Sequence, residues 1–285
     1  MSLFEVKPYD REVYEKELKD FLPQKILDVH THVYLKEFFP PKPLAPGEVK
    51  RTVTWPSLVA ADDSIEDLQE TYRLMLPGKD VTALMFTSRG AWDKNNAYVA
   101  ECSRRTGFPA LYYSRPEQTP EELEMEIRKG GFLGIKGYLS LSPKYIPEAE
   151  IRIFDFFPKA QLKKMDEMGA IVMLHIPRNG RLKDPVNLAQ IMEIKQEFPN
   201  IRLIIAHIGR AYTREDVGNA FETLDKAPDL MYDFCANCCE YAITEVLRHA
   251  GPKHVMYGTD MPILRMRTHR IEENGTYINL VSPGL

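Results

Sequence analysis

Ile26-Leu27-Asp28-Val29-His30-Thr31-His32 alternates apolar and polar side chains with the period of two that belongs to an extended strand. If Leu27 and Val29 share one face, Asp28, His30 and His32 share the other, and two imidazoles one residue apart stand side by side. The same reading applies further along the chain. Leu133 and Ile135 take the apolar face and Lys136 the other; Val172 and Leu174 oppose His175; Ile204 and Ala206 oppose His207; Val255 and Tyr257 oppose Asp260. In each case the polar residue comes at or just past the C-terminal end of its strand.

Working outward, eight apolar runs of strand length alternate with charged segments of helical period: Lys25–His30, Val81–Thr87, Ala110–Ser114, Phe132–Tyr138, Ile171–His175, Arg202–His207, Leu230–Phe234 and His254–Gly258. Helical segments are expected near 120–129, 157–169, 184–198, 214–226 and 238–250. Thr119-Pro120-Glu121-Glu122 starts one with a capping box and a proline in the first turn, and Asp184-Pro185 starts another with a cap followed by proline. Alternating βα units predict a parallel sheet, and eight of them predict an α/β fold of the (β/α)8 TIM-barrel type, with a doubly wound open sheet as the other arrangement. One domain over residues 1–285 suffices. Two distortions are expected. A long insertion at 35–75, with Pro40-Pro41-Lys42-Pro43 and Trp55-Pro56, should fold over the barrel mouth. The tail after Asp260 has turn signals at Asn274-Gly275 and Pro283-Gly284 but no amphipathic pattern, so the final helix of a regular barrel is expected to be missing.

Barrel enzymes build their sites at the C-terminal ends of the strands. Ionisable groups gathered there would be costly unless paired or bound to a metal. His30, His32, His175 and Asp260 offer the nitrogen and oxygen donors that suit Zn²⁺, with Mn²⁺ or Fe²⁺ as other occupants. A single histidine at a strand end is more often a hydrogen-bonded rim residue than a ligand; the joint placement carries the inference. His249, His254 and His269 show no such convergence.

A net charge of −4 offers no basic face for nucleic acid, and no apolar run reaches the roughly 20 residues that cross a bilayer. The N-terminus lacks the pattern of a secretory signal, so the expected location is the cytoplasm, the expected partner a small-molecule substrate, and a homo-oligomer is left open. Cys102 stands alone. Cys235, Cys238 and Cys239 lack a second pair at zinc-finger spacing and are expected as reduced thiols, buried or partly buried at a strand end.

Val29-His30-Thr31-His32-Val33, Leu174-His175, Ala206-His207 and Gly258-Thr259-Asp260 resemble the signature of the amidohydrolase superfamily. Tyr257-Gly258-Thr259-Asp260-Met261-Pro262 and His207-Ile208-Gly209 resemble its amidohydrolase-related branch, which includes aminocarboxymuconate-semialdehyde decarboxylase, resorcylate decarboxylases and several lactonases. The resemblance runs from Ile26 to about Pro262. It implies His30, His32 and His175 as metal ligands, Asp260 as ligand and proton acceptor, and His207 as a group contacting metal-bound water or substrate. Lys136 is either a carboxylated bridge between two metals or an unmodified cation that attracts a substrate carboxylate, so one ion per chain is expected, or two if Lys136 is carboxylated.

The first expectation is a metal-dependent hydrolase acting through activated water on a small carboxylate-bearing lactone, amide or ester. The alternative is a metal-dependent non-oxidative decarboxylase of a small aromatic or unsaturated acid, and a catalytically silent binding barrel is the distant third. Arg178 and Arg210, each three residues beyond a site histidine, are candidate carboxylate binders; Arg265 and Arg267 follow Asp260 closely. Tyr113, Tyr138 and Trp55 are candidate pocket walls.

Overall fold

The computed structural model describes residues 4–38, 61–87 and 92–280. A short helix α1 (Pro8–Val13), continued by a π-helical turn, precedes strand β1 (Lys25–His32); α2 (Ile65–Met75), β2 (Asp80–Phe86), α3 (Trp92–Thr106), β3 (Tyr112–Tyr113), α4 (Pro120–Gly130) and β4 (Gly134–Gly137) come next. The second half comprises α5 (Lys159–Glu167), β5 (Ile171–Leu174), α6 (Pro185–Glu197), β6 (Arg202–Ile205), the short helices α7 (Arg214–Val217) and α8 (Phe221–Leu224), β7 (Met231–Asp233), α9 (Glu240–His249) and β8 (Val255–Met256).

All neighbouring strands from β1 to β8 run parallel, in the order β1-β2 and β3-β4-β5-β6-β7-β8. Backbone hydrogen bonds join the two groups at both seams. Met85 N donates to Pro109 O (2.9 Å) and Leu111 N to Met85 O (2.9 Å) between β2 and β3, while Val29 N donates to Tyr257 O (3.0 Å) and His32 N to Met261 O (2.8 Å) between β1 and the chain after β8. The result is the distorted (β/α)8 barrel that the alternation predicts.

Two apolar layers hold it. Val29, Leu84, Phe86, Leu111, Met173, Ile204 and Ala206 form one cluster, and side chains from strands this far apart meet only across the barrel interior. Ile135, Val172, Leu174, Leu203 and Ile205 belong to the other, between strands and helices, with Leu68, Leu123, Leu162 and Ile191. Helix starts obey the sequence signals: Thr119 accepts from Glu122 N, and Asp184 from Val186 N and Asn187 N.

Several expectations change. Val29, Ile204 and Ala206 face the interior, not the helices: alternation breaks within β1, while β6 alternates with the opposite faces, Leu203 and Ile205 outward, and the break comes after it, at His207. Helices α1, α2 and α3 have no counterpart among the helical segments expected from the sequence, and the 214–226 segment is two short helices. Within the 35–75 insertion, α2 is an ordinary barrel helix opened by a Ser64–Asp67 capping box; Pro40–Pro43 and Trp55-Pro56 lie outside the described residues. Beyond β8 there is no α-helix among the described residues. The chain makes a 3-10 turn and an antiparallel hairpin, β9 (His269–Glu273) and β10 (Thr276–Leu280). Asn274 (φ 51°) and Gly275 (φ 72°) supply the two positive φ angles of its turn.

Candidate metal centre

Three departures from regular backbone bring the polar side chains to one place. The β1–β2 register shifts between Asp28 and Thr31, and this bulge lets Val29 and His30 both face inward. Asp28 turns the other way: it accepts hydrogen bonds from Tyr72 Oη on α2 (2.8 Å) and from Thr259 Oγ1 (2.5 Å). After β6, His207 (φ 57°), Ile208 (φ 49°), Gly209 (φ 58°) and Arg210 (φ 59°) form a left-handed turn that swings His207 inward. Each non-glycine residue there costs about 1–2 kcal/mol, a strain held by Asn237 Nδ2, which donates to Ala211 O (2.9 Å), and by His207 N, which donates to Asp233 Oδ1 (2.9 Å). Asp260 also has positive φ, 58°, with its N–H donating to His30 O at 2.8 Å.

The donors meet closely. Asp260 Oδ1 lies 3.1 Å from His32 Nε2 and 3.6 Å from His30 Nε2. The ring of His207 is 4.7 Å from that of His30 and 5.1 Å from that of His175. His30, His32 and Asp260 therefore form one compact group, and His175 is reached through His207. Atoms about 2.0–2.2 Å from one tetrahedral ion are about 3.3–3.6 Å apart, and the 3.1 and 3.6 Å separations from Asp260 come close to that spacing.

Protonation agrees. Burial pushes His32 down to about 4 against the pull of Asp260, and burial likewise lowers His175 and His207. These are neutral imidazoles, the ligand form. Burial would raise Asp260, but His32's hydrogen bond and the neighbouring His207 and His30 hold it below the ordinary carboxylate range. The Nδ1 atoms of His32 and His175 are buried without a hydrogen-bond partner among the described residues.

Lys136 projects inward from β4, 1% exposed, its Nζ 5.7 Å from the Phe86 ring centre and 5.5 Å from that of Tyr138, with no hydrogen-bond partner among the described residues. Burial pushes its ammonium down to about 8, opposed by Asp233 and Asp260. Tyr138 packs on His175 at 4.5 Å, and Tyr113 stacks on Trp92 at 5.5 Å. The arginines divide. Arg178 Nε donates to Asp184, the cap of α6 (3.0 Å); Arg265 pairs with buried Asp63 and Arg267 with Asp10, which removes the latter two from the substrate candidates. Arg210 makes only long hydrogen bonds, 3.4 Å to Ile176 O and Arg178 O, among the described residues.

Sequence reading missed Asp233, at the end of β7, and Cys235. The Asp233 carboxylate contacts His30 Nδ1 at 3.0 Å and accepts from the Cys235 thiol at 2.8 Å. Of the clustered cysteines, Cys235 is buried and Cys239 half-buried, as expected, and Cys238 is exposed, a correction to that expectation. The hairpin β9–β10 is likewise absent from the sequence reading: its Tyr277 packs on Tyr212 (5.0 Å), with the guanidinium groups of Arg181 and Arg270 4.7 and 4.8 Å from its ring centre.

A (β/α)8 barrel with histidines and a carboxylate convergent at the C-terminal ends of its strands defines a barrel enzyme of the metal-binding kind. The amidohydrolase family model matches residues 27–275, and the chain belongs to that family. No curated protein matches it in sequence. Similar solved structures include an amidohydrolase 2 from Bifidobacterium longum subsp. infantis (16% identity, 85% of this chain and 86% of that one, TM-score 0.54). A 2,6-dihydroxybenzoate decarboxylase from Rhizobium matches with 13% identity over 88% and 94% of the two chains, TM-score 0.55. A 5-carboxyvanillate decarboxylase from Novosphingobium aromaticivorans, complexed with manganese and 4-hydroxy-3-methoxy-5-nitrobenzoic acid, matches with 13% identity over 84% and 87%, TM-score 0.57. At these identities the likeness concerns the fold.

Proposed function

We propose that the protein is a metal-dependent, non-oxidative decarboxylase of a small aromatic or unsaturated acid. The observation that carries this reading is the buried Lys136 Nζ, which has no hydrogen-bond partner among the described residues. An ammonium held inside a barrel without a partner is costly, and a substrate carboxylate is the group that offsets the cost. Arg210, loosely held at the mouth, adds a second cation. The decarboxylases among the similar folds give this reading more support than the hydrolase first expected from the sequence.

The residues that would hold the ion are His30, His32, His175 and Asp260. A divalent ion there, Zn²⁺ by donor type or Mn²⁺ as in the 5-carboxyvanillate decarboxylase, supplies charge that orients an anionic substrate. The two close donor groups, His30-His32-Asp260 and His30-His207-Asp233-Cys235, share His30, which favours one ion and an unmodified Lys136 over a carboxylated bridge. Lys136 binds the carboxylate and Tyr138 packs against the ring. Asp260, ionised at rest, gains proton affinity beside an anionic substrate, takes up a proton from solvent and delivers it to the carbon bearing the carboxylate. A C–H bond forms, the C–C bond breaks with its electron pair left on the substrate carbon, and CO₂ departs.

Hydrolysis is the second reading, because the same Asp260 carboxylate is placed to take a proton from water. The two are separated by supplying a panel of hydroxybenzoates, unsaturated acids and lactones in D₂O. Decarboxylation releases CO₂ and places one deuterium on the former carboxyl carbon; ring-opened acid without CO₂ would overturn the proposal in favour of hydrolysis.

A further inference from the structure

Asp233 is fully buried at the end of β7, and four donors converge on its carboxylate. Oδ2 receives His30 Nδ1 at 3.0 Å; Oδ1 accepts from His207 N (2.9 Å), Cys235 N (3.2 Å) and Cys235 Sγ (2.8 Å). One side chain thus ties β1, the left-handed turn after β6 and the end of β7 together.

Each contact constrains the adjoining group. A carboxylate can only accept, so Nδ1 of His30 carries a ring proton, and Nε2 is the atom turned toward Asp260 and the site. The bond from His207 N holds the first residue of a turn whose positive φ angles are otherwise unfavourable. His207 Nδ1 in turn lies 2.9 Å from the carbonyl of Cys235, the residue whose N–H and thiol the same carboxylate receives. A carbonyl also only accepts, so Nδ1 of His207 likewise carries a ring proton.

We infer that Asp233 is a positioning residue for the metal centre: it fixes the tautomer of His30 and, through the backbone of His207 and the loop at Cys235, the orientation of the second imidazole. The inference rests on His30 being a ligand, as proposed above, but its primary test needs neither metal nor substrate. Asparagine is nearly isosteric but has one acceptor oxygen. If that oxygen keeps the three donors from His207 and Cys235, the amide N–H₂ faces His30 Nδ1, which must then accept, and the ring proton moves to Nε2.

The test is ¹⁵N imidazole NMR on chelator-treated protein, comparing the parent chain, Asp233→Asn and Cys235→Ala. His30 is expected in the Nδ1–H form in the parent and in Cys235→Ala, and in the Nε2–H form in Asp233→Asn. Titration with Zn²⁺ and with Mn²⁺ should show affinity lowered about 10–100-fold in Asp233→Asn and within about threefold of the parent in Cys235→Ala. A parent His30 without a proton on Nδ1 overturns the inference without any variant having to fold. So does an Asp233→Asn chain that keeps both the Nδ1–H form and the parent's affinity. Loss of affinity with an unchanged tautomer overturns the tautomer role and assigns Asp233 to the scaffold alone. Failure of the decarboxylase reading, by contrast, would leave the tautomer results untouched.

Discussion

His32 and Asp260 stand 228 residues apart in the chain, yet His32 Nε2 and Asp260 Oδ1 are 3.1 Å apart, because the seam between β1 and the segment after β8 makes their backbones neighbours. The carboxylate that closes the compact donor group therefore exists as part of a site only once the barrel closes. That position allows two roles for Asp260, ligand and proton carrier, and they have different signatures.

If Asp260 were a ligand alone, Asp260→Asn would weaken metal binding and saturating metal would restore turnover, since an amide oxygen still coordinates. As proton carrier it cannot be replaced by an amide at any metal concentration. The expected result is a loss of about 10²–10⁴ in kcat that persists in the fully metal-loaded variant. Near-normal turnover in that sample would move the proton transfer elsewhere, with His207 next in line.

His32→Ala separates metal binding from folding. The His32 Nδ1 atom has no hydrogen-bond partner among the described residues and the ring lies at the C-terminal end of β1, so its removal should abolish tight metal binding while the far-ultraviolet circular dichroism stays that of the parent. The pH dependence of the metal-free protein should change as well. His32 is held down to about 4 from 6.5, so between those values the unfolded chain binds more protons and stability falls as pH drops. His32→Ala should show a shallower acid-side decline in denaturant midpoint, and an unaltered slope would mean that His32 is not the depressed group.

Lys136→Met should stabilise the protein and disable it. The substitution keeps volume and removes a buried cation that has no hydrogen bond among the described residues, so a gain of about 1–3 kcal/mol in unfolding free energy is expected, together with loss of carboxylate-substrate binding read as a raised KM. A stable variant with unchanged KM for the acid would remove Lys136 from substrate recognition.

The same lysine has a pH signature of its own. Its folded-state value of about 8 lies below the ordinary 10.5, so between them the unfolded chain holds the extra proton and stability rises with pH, by up to about 3 kcal/mol over that window. Urea midpoints measured between pH 7.5 and 10.5 should show that rise in the parent and a smaller one in Lys136→Met. Parallel curves would show that Lys136 does not carry it.

Much of this protein is set by local pattern. Alternating strand-length runs and helix-period segments determine a parallel α/β barrel, and Thr119-Pro120 and Asp184-Pro185 mark helix starts because caps and proline act within one turn of chain. The position of His30, His32, Lys136, His175, His207 and Asp260 at strand ends is legible for the same reason. Tertiary structure decided how those side chains arrive. The faces assigned from the sequence pattern would send Val29, Ile204 and Ala206 to the helices. A bulge in β1 and a left-handed turn after β6 change which way the neighbouring side chains face, and such irregularities are stable only because distant groups hold them. Asp233 shows the same dependence in a single residue. In sequence it is one carboxylate after Met231-Tyr232; its four donors come from β1, the turn after β6 and its own loop, and no local pattern records a partner that only closure of the ring brings within 3.0 Å.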